Sequence, residues 1–199
     1  MIVVAGPPGG GKSTLLGRDY YSERGIPYFN IDERCKELNG ASSQKIPLPI
    51  RNRANQELRL FCLEHFQNRQ TFAFETTLRA PFAIEQTGLA QAANFEAELH
   101  FVAAPVQKHV DRVIARAASG GHGASERTVR TMYEDSLRNL PGALRAFDHS
   151  YLYDSGTDTP ALLVEVEGKQ ILLYDGAIPS WMDRALRQVR VRAGSDLDR

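Results

Sequence analysis

Residues 6–14 of the chain, GPPGGGKST, combine closely spaced glycines with one lysine and two hydroxyl side chains. They match the phosphate-binding pattern G-x-x-x-x-G-K-[ST] in full. Glycines let backbone N–H groups turn inward around phosphate oxygens. We expect Lys12 to reach the β- and γ-phosphates of a nucleoside triphosphate, and Ser13 to ligate Mg²⁺. The residues predicted to bind the nucleotide, called the P-loop below, are Gly6, Pro7, Pro8, Gly9, Gly10, Gly11, Lys12, Ser13 and Thr14.

A carboxylate follows the second predicted strand, residues 28–31. Asp32 then lies at the carboxyl edge of the sheet, beside the P-loop, where ligands bind in open α/β sheets. It could hold Mg²⁺ through water, or accept the proton of a hydroxyl group as a general base. The structural alternative is that Asp32 only caps the helix that follows.

Polar side chains also follow the third predicted strand, residues 71–74. Glu75 is expected to hydrogen-bond to the hydroxyl groups of a substrate, Thr77 to help place it, and Arg79 to belong to the same substrate site. The structural alternative is a strand end whose polar residues cap the next helix.

The order of the elements predicts how these residues are brought together. The apolar run Ile2–Ala5 is typical of a strand buried on both faces, and it enters the P-loop directly. Strands then alternate with helices through about residue 120, which predicts parallel βαβ units with right-handed crossovers. The fold class is therefore α/β, a three-layer P-loop NTPase-type fold with a mainly parallel central sheet. One domain, residues 1–199, is expected.

The remaining predicted elements are placed by apolar patterning and by Gly and Pro. The first helix should span residues 13–24, and the helix from Ser125 should close at Pro141 and Gly142. Two late strands, 161–166 and 170–174, should extend the sheet or form an edge hairpin. Residues 194–199 should form a frayed tail. Further predicted elements are helices at 50–66 and 81–93, a strand at 97–103, and helices after Pro105 and Pro179.

Composition limits the kind of protein this is. The formal net charge is zero, so no basic excess points to nucleic acid. Cys35 and Cys62 have no metal-ligand spacing, which suggests reduced thiols in a cytoplasmic protein. No apolar run approaches the length of a membrane segment, and the first residues do not resemble a signal peptide.

Four segments, in this order and at similar spacing, resemble the zeta toxin family of P-loop kinases. More narrowly, they resemble its short bacterial branch often labelled predicted ABC-type ATPase. The resemblance implies transfer of the γ-phosphate of ATP or GTP, with Mg²⁺, to the sugar 3′-hydroxyl of UDP-N-acetylglucosamine or a related UDP-sugar. It also implies a small helical antitoxin protein as partner. The segments are residues 6–14, residues 30–33 (NIDE), residues 74–77 (FETT) and, between 116 and 140, Arg116, Gly120-Gly121-His122, Glu126-Arg127 and Ser136–Leu140.

The resemblance assigns roles by position. Lys12 and Ser13 match the phosphate and metal residues, Asp32 the catalytic base, and Glu75 with Thr77 the sugar-binding acid and its neighbour. Arg116 matches the first of two lid arginines. The second is open among Arg127, Arg130 and His122, and for each arginine a solvated helix face is the structural alternative.

The glycines around His122 predict a mobile lid, at about residues 116–140, that closes over the phosphates and excludes water. His122 has no second histidine at ligand spacing, so a contact with substrate or phosphate is favoured over a metal.

Two other functions are weighed against a small-molecule kinase. A nucleotide-dependent switch or ABC-type ATPase module would have a conformational output, but the chain carries no ABC signature and no convincing second Asp-Glu strand end. A polynucleotide kinase ranks lowest because the sequence provides no basic groove.

Overall fold

The computed structural model describes residues 1–118, 123–157, 159–168, 170–174 and 176–195. Within these ranges seven strands form one central sheet, in the order β2-β3-β1-β4-β5-β6-β7. The strands are β1 (Ile2–Ala5), β2 (Tyr28–Asn30), β3 (Ala73–Thr76), β4 (Glu98–Ala103), β5 (His149–Asp154), β6 (Ala161–Glu167) and β7 (Gln170–Leu173).

Helices connect and cover these strands. None of those in the described ranges combines the length and the apolar content that crossing a membrane requires. The helices are α1 (Lys12–Leu16), α2 (Arg18–Ser22), α3 (Ile31–Leu38), α4 (Leu48–Gln67), α5 (Phe82–Ala92), α6 (Val106–Ala118), α7 (Glu126–Ala146) and α8 (Ser180–Ser195).

The sheet is parallel from β2 to β5, and β6 and β7 add antiparallel strands at one edge. The predicted α/β class with a mainly parallel sheet is confirmed. The two late strands do both things that were expected of them, because they form a hairpin and also extend the sheet. Parallel pairing brings the carboxyl ends of β1 to β5 to one edge, and the P-loop leaves β1 at this edge.

Apolar side chains on one face of the sheet form the main core with α4, α5, α7 and α8, whereas α1 and α2 cover part of the other face. Leu16 and Tyr21 pack against Val4 and Ala73 on that second face. Helices therefore lie on both sides of the sheet, which gives the three layers. The largest fully buried side chains of the main core include Phe72, Phe74, Leu99, Phe101, Leu140, Leu144, Leu152 and Met182.

The predicted first helix, 13–24, is in fact two helices separated by Gly17. This glycine is extended (φ −83°, ψ −174°). A Cβ atom there would lie 2.4 Å from the carbonyl oxygen of Ser13, so the chain passes too close to the first turn for any other residue. The break turns α2 across the sheet, where Tyr21 is buried.

Helix α7 does not close at Pro141 as predicted but continues to Ala146. Proline inside a helix costs about 3 kcal/mol, since it removes one backbone hydrogen bond and crowds the preceding turn. Leu140 and Leu144 are fully buried beside it, and burying one leucine contributes about 1.5–3 kcal/mol. Apolar burial on this side of α7 therefore outweighs the cost of the proline.

The burial of α7 also affects the lid that was predicted at about residues 116–140. Val129, Tyr133 and Ser136 of α7 are buried as well, so residues 126–140 belong to the body of the domain. Residues 119–122 lie outside the described residues. At the other end, α8 includes Gly194 and Ser195, which were expected in a frayed tail, and residues 196–199 are not described.

Candidate active site

The P-loop backbone takes a shape that only glycine allows at its first position. Gly6 has φ +143°, and a Cβ atom there would lie 2.1 Å from the carbonyl oxygen of Val102 in β4. Gly9 and Gly11 also have positive φ, at +75° and +88°. The motif therefore folds as a tight loop against β4.

Side chains from outside the loop hold three consecutive P-loop carbonyl groups. In a planar trans peptide the carbonyl of one residue and the N–H of the next point in opposite directions. Holding these carbonyls on one side therefore directs the N–H groups of Gly9 and Gly11 to the other side, where they can meet an anion. The bonds are His109 Nδ1 to the oxygen of Pro8 (2.7 Å), Arg112 Nη1 to that of Gly9 (3.2 Å) and Ser155 Oγ to that of Gly10 (2.7 Å).

His109 is fully buried on α6. Its Nε2 accepts the N–H of Ala104 at 3.0 Å, which leaves Nδ1 to donate to Pro8. Burial lowers the pKa of His109 to about 4, so the imidazole is neutral near pH 7. It serves as a fixed uncharged bridge between the P-loop and the end of β4.

Arg112 and Ser155 extend this support to the end of β5. Arg112 Nη2 donates to the carbonyl oxygen of Ser155 at 2.6 Å, and its Nη1 lies 3.2 Å from Ser155 Oγ. Ser155 is 1% exposed. His109, Arg112 and Ser155 were not predicted from the sequence, because no motif links α6, or the residue after an unpredicted strand, to the P-loop.

Lys12 is buried and turned back over its own loop. Its Nζ donates to the carbonyl oxygens of Gly6 (2.9 Å) and Pro7 (3.2 Å) and lies 3.6 Å from Glu75 Oε1. The ammonium group therefore lies between the P-loop and the end of β3.

Glu75 is held from two sides. Besides its ion pair with Lys12, its Oε2 accepts the hydroxyl of Tyr28 at 2.9 Å and lies 3.4 Å from Ser13 Oγ. Burial, and then the charge of Glu75, raise the pKa of Tyr28. Glu75 is thus a positioned carboxylate, and its side chain is 12% exposed.

Asp32 does not cap α3, which corrects that alternative. The side chain of Asn30 is the cap, since its Oδ1 accepts the N–H groups of Asp32 (2.9 Å) and Glu33 (3.2 Å). Asp32 lies in the first turn, exposed and facing the cleft. Among the described residues its carboxylate has no hydrogen-bond or ion-pair partner, whereas that of Glu33 binds Arg18 at 2.6 Å.

The turn after β3 is fastened to α7. Ser136 Oγ donates to the carbonyl oxygen of Thr77 at 2.5 Å, and Asn139 Nδ2 to that of Leu78 at 2.9 Å. Leu78 has φ +57°, a strained conformation for a leucine that these contacts help to hold. Ser136 and Asn139, noticed only as part of the resemblance, therefore place Thr77 and Arg79 at the cleft.

These elements enclose one cleft of about 870 Å³ along the carboxyl edge of the sheet. The P-loop lies between two walls, which we name by their helices. The α6 wall consists of Arg112, Arg116, Ser155 and Thr157. The α4 wall consists of Asp32, Thr77, Arg79 and, from α4, Arg51, Asn55 and Arg59.

The structure brings most of the predicted site residues together here, but not all of them. Arg116 lines the cleft. Arg127 and Arg130 do not; they border a separate surface depression on α7, where Arg130 binds Glu126 and Gln107. His122, with Gly120 and Gly121, lies outside the described residues.

The donor atoms suit a magnesium ion bound together with phosphates. In the described ranges no three His, Cys, Asp or Glu side chains converge as a metal site. Ser13 and Asp32 nevertheless line the same cleft, and Mg²⁺ usually takes only one or two protein oxygens beside water and phosphate. The hydroxyl of Ser13 and the unpaired carboxylate of Asp32 therefore fit such an ion.

A family model described as an AAA domain matches residues 1–136. No curated protein matches the chain in sequence. Among solved structures, the AvrRxo1-ORF1:ORF2 complex with ATP contains a chain that is 13% identical, with a TM-score of 0.63; the match covers 94% of this chain and 62% of that one.

Two further structures are similar. One comes from the PezAT chromosomal toxin–antitoxin system of Streptococcus pneumoniae, with 14% identity and a TM-score of 0.61, covering 100% of this chain and 88% of that one. The other is a kinase candidate from Chloroflexus aurantiacus, with 19% identity and a TM-score of 0.53, covering 66% and 77%. The predicted likeness to zeta toxin-type P-loop kinases is thus confirmed as a likeness of fold.

Proposed function

The chain belongs to the AAA domain family, and we propose that it is an ATP- and Mg²⁺-dependent small-molecule kinase. The γ-phosphate would pass to a hydroxyl group of a UDP-sugar, such as UDP-N-acetylglucosamine, or of a related nucleotide. The observation that carries the proposal is Asp32, a carboxylate with no partner among the described residues, in the same cleft as a fully formed P-loop.

The α6 wall and the P-loop would bind the triphosphate. Backbone N–H groups and Lys12 would hold its oxygens, and the amino end of α1 adds a favourable dipole. A bound Mg²⁺, held by Ser13 and, through water, by Asp32, would neutralise charge on the phosphates. ATP is the first nucleotide to test, with GTP as the alternative.

The α4 wall would bind the acceptor. Asp32 would take the proton of the acceptor hydroxyl as its oxygen attacks the γ-phosphorus. The new O–P bond forms while the bond from the γ-phosphorus to the β–γ bridging oxygen breaks, and ADP leaves. Glu75 and Thr77 would orient the acceptor, and Arg116, from the opposite wall, would offset charge on the transferring group.

The shape of the cleft favours a small-molecule acceptor over a purely conformational ATPase. The cleft extends beyond the P-loop to α4 and offers polar side chains that a triphosphate in the loop would leave unused. A nucleotide-dependent switch has no need of a second lined wall of this kind.

ATP turnover measured alone, and then with a panel of UDP-sugars, nucleotides, nucleosides and sugars, tests the proposal. Strong stimulation by one small molecule, with that molecule gaining one phosphoryl group, is the expected result. Stimulation only by a protein or nucleic acid would contradict it and would favour the switch.

A protein partner forms part of the proposal. The PezAT and AvrRxo1 structures are described as a toxin–antitoxin system and as a two-protein complex. We therefore propose that a small helical antitoxin covers the nucleotide site of this chain, in the cytoplasm. An adjacent reading frame whose product suppresses toxicity on co-expression would support this; growth unaffected by the kinase alone would contradict it.

A further inference from the structure

Helix α4 presents two arginines to the cleft on one face. Arg51, Asn55, Leu58 and Arg59 follow each other at steps of four, three and one, and all four line the cleft. Residues at this spacing share a helix face. Arg79, from the turn after β3, adds a third guanidinium to the same wall.

These three arginines differ from others nearby in their partners. Arg53, on the same helix, binds Glu57 at 3.0 Å, and Arg34 of α3 also binds Glu57. In the described part of the chain, Arg51, Arg59 and Arg79 pair with no carboxylate.

The guanidinium of Arg59 is held in position by an aromatic ring. It lies 4.8 Å from the centre of the Phe82 ring. A cation over an aromatic face is held in position while its N–H groups remain able to bind an anion.

The position of this cluster ties it to the acceptor and not to ATP. Helix α4 packs against α3, which carries Asp32. Helix α3 follows β2, and Phe61 of α4 packs against Phe29 of β2. Both helices therefore lie on the β2 side of the P-loop, whereas Arg112 lies on the other side, where it bonds to Ser155 after β5. A group bound by Arg51 and Arg59 would therefore belong to the molecule whose hydroxyl meets Asp32.

We propose that Arg51 and Arg59, with Arg79, form a subsite for a phosphate or diphosphate group of the acceptor. This rests on the proposed kinase function and deepens it, because it assigns the residues that would bind the phosphate groups of the acceptor and make neutral sugars and nucleosides poor acceptors. A ligand with a single carboxylate would not balance the three positive charges of these arginines. In addition, each planar guanidinium can bind two phosphate oxygens at once. A neutral ligand would desolvate the three cations without compensation.

The test uses protein saturated with Mg²⁺ and adenylyl imidodiphosphate, so that the P-loop is filled and no transfer occurs. Calorimetric titration compares matched pairs: UDP-N-acetylglucosamine with N-acetylglucosamine, and UMP with uridine. The phosphorylated member of at least one pair should bind about 10- to 100-fold more tightly. Arg51→Gln and Arg59→Gln should each remove about tenfold or more of that affinity.

Arg53→Gln is the matched control, since it removes an arginine from the same helix but from an ion pair outside the cleft. It should leave the affinity for the phosphorylated probe within about twofold. Adenylyl imidodiphosphate should bind all three variants as it binds the unmodified protein, which also shows that they are folded. Arg59→Lys keeps the positive charge but loses the planar guanidinium with its paired N–H groups. It should bind the phosphorylated probe with intermediate affinity.

Equal binding of both members of every pair, or full affinity in both glutamine variants, would overturn the subsite. Because this binding is measured without phosphoryl transfer, its outcome is separate from that of the kinase assay. A protein that phosphorylates a neutral sugar would still be a small-molecule kinase but would lose the subsite. A protein that prefers the phosphorylated probes but transfers no phosphoryl group would keep the subsite and lose the proposed kinase function.

Discussion

The two walls of the cleft differ in how their polar groups are bound. On the α6 wall, Arg112 and Ser155, together with the buried His109 behind them on α6, already bond the P-loop carbonyls at 2.7–3.2 Å. On the α4 wall, the side chains of Asp32 and Arg51 have no ion-pair partner among the described residues. Side chains of the α6 wall are thus used to hold the P-loop, whereas these charged groups of the α4 wall have no ion-pair partner in the described part of the chain.

This difference indicates where generality and specificity lie. A triphosphate is the same in every kinase of this fold, so its cradle can be fixed in advance, and a fixed cradle loses little entropy on binding. The acceptor varies between kinases, so under the proposed function we expect the charged side chains of the α4 wall to be selected for one molecule. Four predictions test whether the walls are separable in this way.

Asp32→Asn should have the largest effect and should act on the α4 wall alone. The amide keeps the shape of the side chain but cannot take a proton, so kcat for acceptor phosphorylation should fall about 10²- to 10⁴-fold. Affinity for the Mg²⁺–nucleotide complex should change by no more than a few-fold. Steady-state kinetics and nucleotide titration measure the two quantities.

Glu33→Gln is the control for that variant. Glu33 is the next residue along α3. Its substitution removes only an exposed ion pair with Arg18, which is worth at most about 1 kcal/mol. Full kinase activity in Asp32→Asn would remove Asp32 from its role, whatever the control shows.

His109→Gln should change how stability depends on pH. The pKa of His109 is about 4 in the folded protein and about 6.5 in an unfolded chain. The unfolded state therefore binds more protons below pH 6.5, and this histidine costs stability as the pH falls from 6.5 towards 4. The loss approaches about 3 kcal/mol at the acid end.

Urea unfolding of the unmodified protein and of His109→Gln at pH 7 and pH 4.5 measures this effect. The stability difference between them should shift by about 2–3 kcal/mol in favour of the variant at the lower pH. A difference that stays constant with pH would mean that His109 is not held neutral in the fold.

Ser155→Ala should weaken the α6 wall selectively. It removes the donor to the Gly10 carbonyl in a site that is 1% exposed, at a cost of about 1–3 kcal/mol. We expect the KM for the nucleotide to rise about tenfold, with the KM for the acceptor unchanged. Equal changes in both KM values would show that the walls are coupled.

Tyr28→Phe should have the smallest effect. It removes one 2.9 Å hydrogen bond to Glu75, worth about 1 kcal/mol, so the KM for the acceptor should rise only about two- to fivefold. A loss as large as that of Asp32→Asn would give Tyr28 a direct part in the chemistry.

The sequence predicts the parts of the site that follow from local patterns. The P-loop, Asp32 and Glu75 each come directly after an apolar strand, and parallel strands bring their carboxyl ends together at one edge. The fold class follows from the same alternation of elements.

The remaining parts depend on contacts between distant segments. Strand β5 was not predicted because its sequence, HSYLYD, leaves polar and aromatic side chains half exposed on one face. Without β5, Ser155 has no assigned place, and its bond to Gly10 spans 145 positions. The resemblance assigned Arg127 and Arg130 to the lid. The buried apolar face of α7 instead places them on a different surface, outside the cleft.

Following the γ-phosphate of ATP is the sharpest test of whether this protein is a small-molecule kinase that uses Asp32. ATP carrying a radioactive γ-phosphate is incubated with the unmodified protein, Mg²⁺ and a metabolite extract, and the products are separated. We expect the label to appear in one small molecule, and Asp32→Asn to abolish this while nucleotide binding persists. Label found only in inorganic phosphate, at a rate no small molecule changes, would contradict it.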